Sequence, residues 1–430
     1  MGELVPPGAR LGIVRSISYG LFGKPDQFVP QLRELGATLV RVYFFWSQVE
    51  PEPGRFSFDA VGAFLEQLDG SEEVWVTVCS SSRWATEQAT DFLPPSPAKD
   101  PDAYHRFVRR LVDHCGGRVH YWQCDNEPSN LGLTWAGTAE EYLAQLRVFH
   151  RAVKEADPEA AVVLGGAAYA LPAAAADSPE RRFFDRVLAD GRDHFDLFDL
   201  HLYGPADRIV DDIEAARGMM RAFGYEKPLV VGEYNAPWPN LYPEATAAME
   251  GAAEAGLAGL YEHMAELPPQ LQMFMRGCPR ELEDKRDRIN CRELVMRNLL
   301  ALSAGVRRTV CWNLARDIPG YEDLLSVMDL CSRCAAAAGA RCWWCGSSAT
   351  PSPARTSRRW RSTGPGRRRR RPRSTPSAGP GRPGPPTGAC GSRSRTPRCW
   401  SSEGRRHPAV ISSTQATSWR RLRTSKTWSQ

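Results

Sequence analysis

Two glutamates stand 106 residues apart, and each follows a short β-branched or aromatic run and precedes a turn. Glu127 lies in VHYWQCDNEPSN (119–130) and Glu233 in KPLVVGEYNAP (227–237). A carboxylate delivered at the carboxyl end of a strand sits where barrel enzymes keep their chemistry. Alone, Asn126-Glu127-Pro128 is equally a polar turn. As a pair the carboxylates suit glycoside cleavage: one protonates the leaving oxygen, and the other, if about 5–5.5 Å away, attacks the anomeric carbon.

The elements that must position this pair are legible from periodicity. Strands are predicted at 11–17, 38–46, 72–82, 119–123, 160–168, 195–204, 227–237 and 306–314, each rich in β-branched or aromatic residues. Amphipathic helices alternate with them at 25–36, 58–68, 101–115, 138–158, 179–191 and 209–224. Thr138 and Glu141 have capping-box spacing. A long, partly helical excursion (238–290) follows strand seven, then a helix at 292–305. Eight alternations over about 310 residues fit a (β/α)8 TIM barrel. A doubly wound sheet is the alternative, but strand one lacks the glycine-rich phosphate turn that such a sheet normally carries.

The body, about residues 10–325, resembles the retaining (β/α)8 glycoside hydrolases of clan A, near families 39 and 5. The residues that carry the resemblance are Asn126-Glu127-Pro128, Glu233 in GEYN, His201-Leu202-Tyr203 ending strand six, Arg41 on strand two and Trp312 on strand eight. Asn-Glu-Pro or GEYN alone is a weak signal; all five on successive strands are specific. The resemblance implies that Glu127 is the acid/base, with a raised pKa, and Glu233 an ionised nucleophile partnered by Arg41 and Tyr203. It implies that Asn126 binds the sugar's 2-hydroxyl, that His201 contacts substrate or tunes a carboxylate, and that Trp312 stacks on a sugar. The bland readings are a structural ion pair for Arg41, a core histidine for His201 and plain core for Trp312. Trp46 and Trp84, at the ends of strands two and three, are sugar platforms or packing residues, and Trp238 is expected to line the cleft. Family 5 relatives often present a histidine after strand three, whereas Cys79-Ser80-Ser81-Ser82 stands here, favouring a family 39-like or unclassified branch. Neither metal nor cofactor is expected, and the implied ligand is an oligosaccharide or glycoside of the β-xylosidase or β-glycosidase type.

Charge divides the chain. Residues 1–330 hold 33 Lys and Arg against 49 Asp and Glu, whereas 331–430 hold 22 against one. The first segment reads as the catalytic barrel and the second as a disordered basic tail. Between Gly346 and Val410 nearly every residue is Arg, Ser, Pro, Gly, Thr, Ala, Cys or Trp. That is the composition of a GC-rich gene read one base out of frame, so a frameshift near residue 330 is the leading expectation. The tail's Cys331-x2-Cys334 and Cys342-x2-Cys345 are too close for a zinc ribbon. An acidic body argues against specific nucleic-acid binding. Without a basic n-region or an apolar run of spanning length, neither export nor membrane insertion is expected, so a cytoplasmic setting with six free body thiols follows. HExxH, P-loop, GxGxxG and GxSxG are absent. The rival reading is a non-catalytic carbohydrate-binding barrel, or one disabled by the loss of its closing helix; oligomeric state is not encoded in any pattern.

Overall fold

Strands buried on both faces dominate the centre of the molecule. Every residue of LVRVYFF is buried, as is every residue of LVVGEY, the pattern of parallel strands covered by helices outside and side chains inside. The computed structural model describes residues 8–312 except 16, 169–170, 172–173, 236–240, 252–262 and 276. Its strands are β1 (Arg10–Val14), β2 (Leu39–Phe45), β3 (Glu73–Cys79), β4 (Tyr121–Cys124), β5 (Ala161–Ala167), β6 (Leu197–His201), β7 (Leu229–Tyr234) and β8 (Arg308–Cys311). Each pairs in parallel with the next, and β8 pairs with β1. The barrel is closed, the predicted (β/α)8 fold. The predicted tail (331–430), the helix after strand eight and Trp238 lie outside the described residues.

Helices α1 (Val29–Glu34), α2 (Trp46–Val49), α3 (Asp59–Leu65), α4 (Pro101–Cys115), α5 (Ala139–Ala156), α6 (Pro179–Asp190) and α7 (Ile209–Arg221) fill the connections up to β7. Asp100 caps α4 by accepting from the Asp102 amide, and Gly116 ends it in the left-handed region. The predicted capping box of α5 is formed in both directions. The excursion after β7 contains α8 (Pro243–Gly251) and α9 (Pro269–Gln272), then α10 (Arg280–Ser303). Helix α10 starts at Arg280 rather than at the predicted residue 292. Its first half, RELEDKRDRINC, has no apolar stripe; the side chains it buries include Arg286 and Asn290, so hydrophobic periodicity could not register it. Strand four is displaced towards its carboxyl end, at 121–124 instead of 119–123, and strand one is shorter than predicted. Among the described residues no helix is long and apolar enough to cross a membrane.

Alternation along the strands builds two cores. Leu39, Tyr43 and Phe45 of β2 point into the barrel with Trp75, Val163, Val230 and Val310, while Val40, Val42 and Phe44 pack outward against the helices. Arg41 has the inward parity, so a guanidinium is carried to the barrel centre. At the amino-terminal end, Glu73 accepts from Arg10, Arg308 and Tyr121 and closes the barrel floor. Strand β7 breaks its own alternation: Val230 faces in, Val231 and Tyr234 face out, and the register against both neighbours shifts around Gly232-Glu233. That irregularity re-aims Glu233 into the barrel mouth.

Candidate active site

Arg41 is fully buried and uses its whole fork. Nε donates to Thr77 Oγ1 (3.0 Å), Nη1 to the Gly232 carbonyl (2.8 Å) and to Glu233 Oε1 (3.2 Å), and Nη2 to Gln123 Oε1 (2.7 Å) and Asn126 Oδ1 (2.8 Å). Its guanidinium also lies over the Tyr43 and Trp75 rings, 4.8 and 5.1 Å from their centroids. One cation thereby ties β2, β3, β4 and β7 together. Glu233 receives two further hydrogen bonds, from Tyr43 Oη to Oε1 and from Tyr203 Oη to Oε2, each 2.8 Å. Burial pushes the Glu233 carboxyl up, and the charges of His201 and Arg41 pull against it.

His201 lies between the two carboxylates. Its Nδ1 is 2.7 Å from Glu127 Oε1 and 3.4 Å from Glu233 Oε2, and its Nε2 is 3.3 Å from Asp199 Oδ2. Burial opposes a charge on the ring, but Glu233 and Asp199 outweigh it and raise its pKa to about 10. As an imidazolium it donates from both nitrogens. One carboxylate oxygen each from Glu127 and Glu233, together with a ring nitrogen of His201, lie within 4.8 Å of one another. These three have the types and spacing of metal ligands, beside an Arg41 guanidinium that already bonds Glu233. Glu127 is the more open carboxylate, its side chain 17% exposed against 6% for Glu233.

Glycines make the room. A Cβ on Gly166 would lie 2.1 Å from His201 Nε2, and one on Gly232 would lie 2.3 Å from Asp199 Oδ2. The turn that presents Glu127 is backbone-strained. Asp125 (φ 55°) and Glu127 (φ 42°) are the non-glycine residues with positive φ among the described residues, a conformation costing about 1–3 kcal/mol at such positions.

Of the residues singled out in the sequence, Arg41, Asn126, Glu127, His201, Tyr203 and Glu233 converge. Trp312 is half-buried beside them, its ring edge-on to Tyr43 at 6.2 Å. Trp46 and Trp84 do not join the site. Trp46 is fully buried, stacks on Phe107 of α4 and donates from Nε1 to Glu50 Oε2; β2 alternates Arg41, Tyr43 and Phe45 inward, so the next residue turns out to the helices. Trp84 packs edge-on against Trp46 and donates to the Glu50 carbonyl. Sequence reasoning passed over Tyr43, Gln123 and Asp199. Gln123 bridges Arg41 to Asp199, accepting from Arg41 and donating to Asp199 Oδ2 at 2.7 Å. Their signal was present: each is polar and lies on a buried strand, and Tyr43 and Asp199 share the inward parity of Arg41 and His201, two residues away.

The fold and this mouth define a closed parallel (β/α)8 barrel with paired glutamates at the carboxyl ends of β4 and β7. Comparison with protein-family models and with curated proteins finds no match. Solved structures with a similar chain path include a family 39 glycoside hydrolase from the gut symbiont Bacteroides cellulosilyticus WH2, at 15% identity and TM-score 0.50, covering 77% of this chain and 64% of that one. A glucosidase from Croceicoccus marinus is 18% identical with TM-score 0.49 over 77% of this chain and 64% of its own. The chain thus spans under two thirds of the length of both, and the likeness to the family 39 structure is one of fold.

Proposed function

We propose that this barrel is a retaining glycoside hydrolase of the β-glycosidase or β-xylosidase type, with Glu127 as acid/base and Glu233 as nucleophile. The observation that carries this reading is the approach of their carboxylate oxygens to within 4.8 Å. Retaining enzymes hold the two carboxyl groups about 5–5.5 Å apart, whereas inverting enzymes need about 6.5–9.5 Å to admit a water. In the first step a Glu233 oxygen bonds to the anomeric carbon as the glycosidic C–O bond breaks, and the leaving oxygen takes the Glu127 proton. Water then attacks the glycosyl-enzyme, giving a proton back to Glu127 and freeing Glu233. Glu127, the more open of the two carboxyl groups, is the one assigned to the leaving oxygen. Asn126 turns its carbonyl to Arg41, which leaves its NH2 end to donate to a substrate hydroxyl. Trp312 supplies an apolar face at the mouth. The substrate in this reading is a short oligosaccharide or glycoside.

The test is chemical rescue. Glu233→Ala is expected to lower kcat on an activated aryl β-glycoside by about 10⁴-fold or more, and azide to restore turnover with a product of inverted configuration. Unchanged activity in that variant excludes the mechanism.

A further inference from the structure

Asp125 directly precedes the Asn-Glu-Pro turn, is fully buried, and does not touch the cleft network around Arg41 and His201. Its Oδ1 accepts from the Ser80 amide (2.8 Å), its two oxygens lie 3.1 and 3.0 Å from Ser80 Oγ, and its Oδ2 accepts from Gln145 Nε2 (2.9 Å). Ser80 follows β3 and Gln145 belongs to α5, so this carboxyl joins two elements flanking β4. Gln145 Nε2 also donates to Ser80 Oγ (2.8 Å), and Ser80 Oγ lies 3.1 Å from the Ser96 carbonyl. The cage has no basic residue. The titratable groups facing it are Cys79 of β3, Cys124 of β4, Tyr104 of α4 and Tyr142 of α5, whose thiols and phenols are pushed upward, first by their own burial and then by this carboxyl among others.

A buried carboxyl without a cation is costly to keep in water's absence, and Asp125 also has φ 55°. Two residues on, Glu127 takes φ 42°, and its carbonyl accepts from the Asn130 amide (2.9 Å) and Thr134 Oγ1 (2.8 Å). Strained backbone persists only where its surroundings over-determine it. The Thr134 and Asn130 bonds hold the far side of the turn; the Asp125 cage is the anchor on the strand side. A hydrophobic residue of similar size would fill the same space without bonding β3 or α5.

We propose that Asp125 is a positioning residue for the acid/base: its cage with Ser80 and Gln145 fixes the left-handed turn that aims Glu127 at the leaving-group oxygen. This rests on the hydrolase reading given above. Burial, opposed by the Ser80 and Gln145 hydrogen bonds, raises the Asp125 carboxyl to about 7, so the cage changes charge near neutrality. When protonated, Asp125 donates to Ser80 Oγ and Ser80 donates to the Ser96 carbonyl; when ionised, Asp125 only accepts.

The leaving group provides the test, because a displaced acid matters only when protonation is needed. With the full-length chain, kcat/KM is compared for a phenyl and a 2,4-dinitrophenyl β-glycoside, whose poor and good leaving groups respectively need and do not need a proton. Asp125→Ala is expected to lose about 10²-fold on the phenyl substrate, and less than about tenfold on the dinitrophenyl one. Gln145→Ala, which leaves Asp125 in place, is expected to reproduce the same selectivity at smaller size and serves if Asp125→Ala does not fold. Equal losses on both substrates in the folded variants, or no loss on either, overturn the proposal. A wild-type chain that hydrolyses neither substrate overturns the hydrolase reading instead.

Discussion

His201 carries a charge that an isolated imidazole in a protein interior would shed. Its pKa is raised from 6.5 to about 10 because Glu233, Asp199 and Glu127 surround it and outweigh the penalty of burial. A raised folded-state value means that the charged ring stabilises the fold fully below pH 6.5, and that this contribution is lost as pH rises through about 10. His201→Gln keeps hydrogen bonding but has no charge to lose. Denaturant unfolding at pH 6, 8 and 10 is therefore expected to give a wild-type stability that falls more steeply than that of the variant. Parallel curves would remove the imidazolium from this picture. The pair Glu127 and Glu233, with His201 and Arg41, was legible because a polar residue within or at the end of a buried strand has few structural excuses. The tryptophans were less legible: Trp312 and Trp46 both follow a strand, and only strand parity separates the one beside Tyr43 from the one stacked on Phe107.

Strands deliver these residues, but small irregularities aim them. Strand β5 spends two successive positions on glycine, Gly165 and Gly166, and β7 places Gly232 immediately before Glu233. In the sequence these look like weak points in strands; in the barrel they clear space for Tyr142, for the His201 ring and for the Asp199 carboxylate. Gly166→Ala would put a methyl 2.1 Å from His201 Nε2, so the ring must leave its place between the carboxylates. We expect a cost of about 1–3 kcal/mol in unfolding free energy, together with a fall in kcat/KM of about 10²-fold. A variant as active as wild type would show that the ring position is not critical. The shift in β7 and the start of α10 were not legible for a common reason. Both involve buried polar contacts: Arg286 in the first half of α10 donates to the Met273 carbonyl, and Asn298 bonds the hydroxyl of Tyr234 on β7, and hydrophobic periodicity carries no record of such partners.

The whole barrel divides its labour between two ends. At the floor, Glu73 with Arg10, Arg308 and Tyr121 forms a cluster that holds strands β1, β3, β4 and β8. The mouth holds the carboxylates, the cations and Trp312. This polarity was legible in the sequence from strand count and from which strand ends carried acids, because parallel barrels place chemistry at the carboxyl ends. The acidic balance of residues 1–330 added little to it, since net charge speaks to solubility and steering rather than to fold. The central claim is that Glu233 forms a bond to the sugar. Incubation with a 2,4-dinitrophenyl 2-deoxy-2-fluoro-β-glycoside slows the second displacement, and peptide mapping by mass spectrometry then locates the label. The expected result is one fluoroglycosyl group per chain, on the peptide containing Glu233 and at that residue. Contradiction would be an enzyme that hydrolyses the parent glycoside to the inverted anomer while Glu233 stays unlabelled.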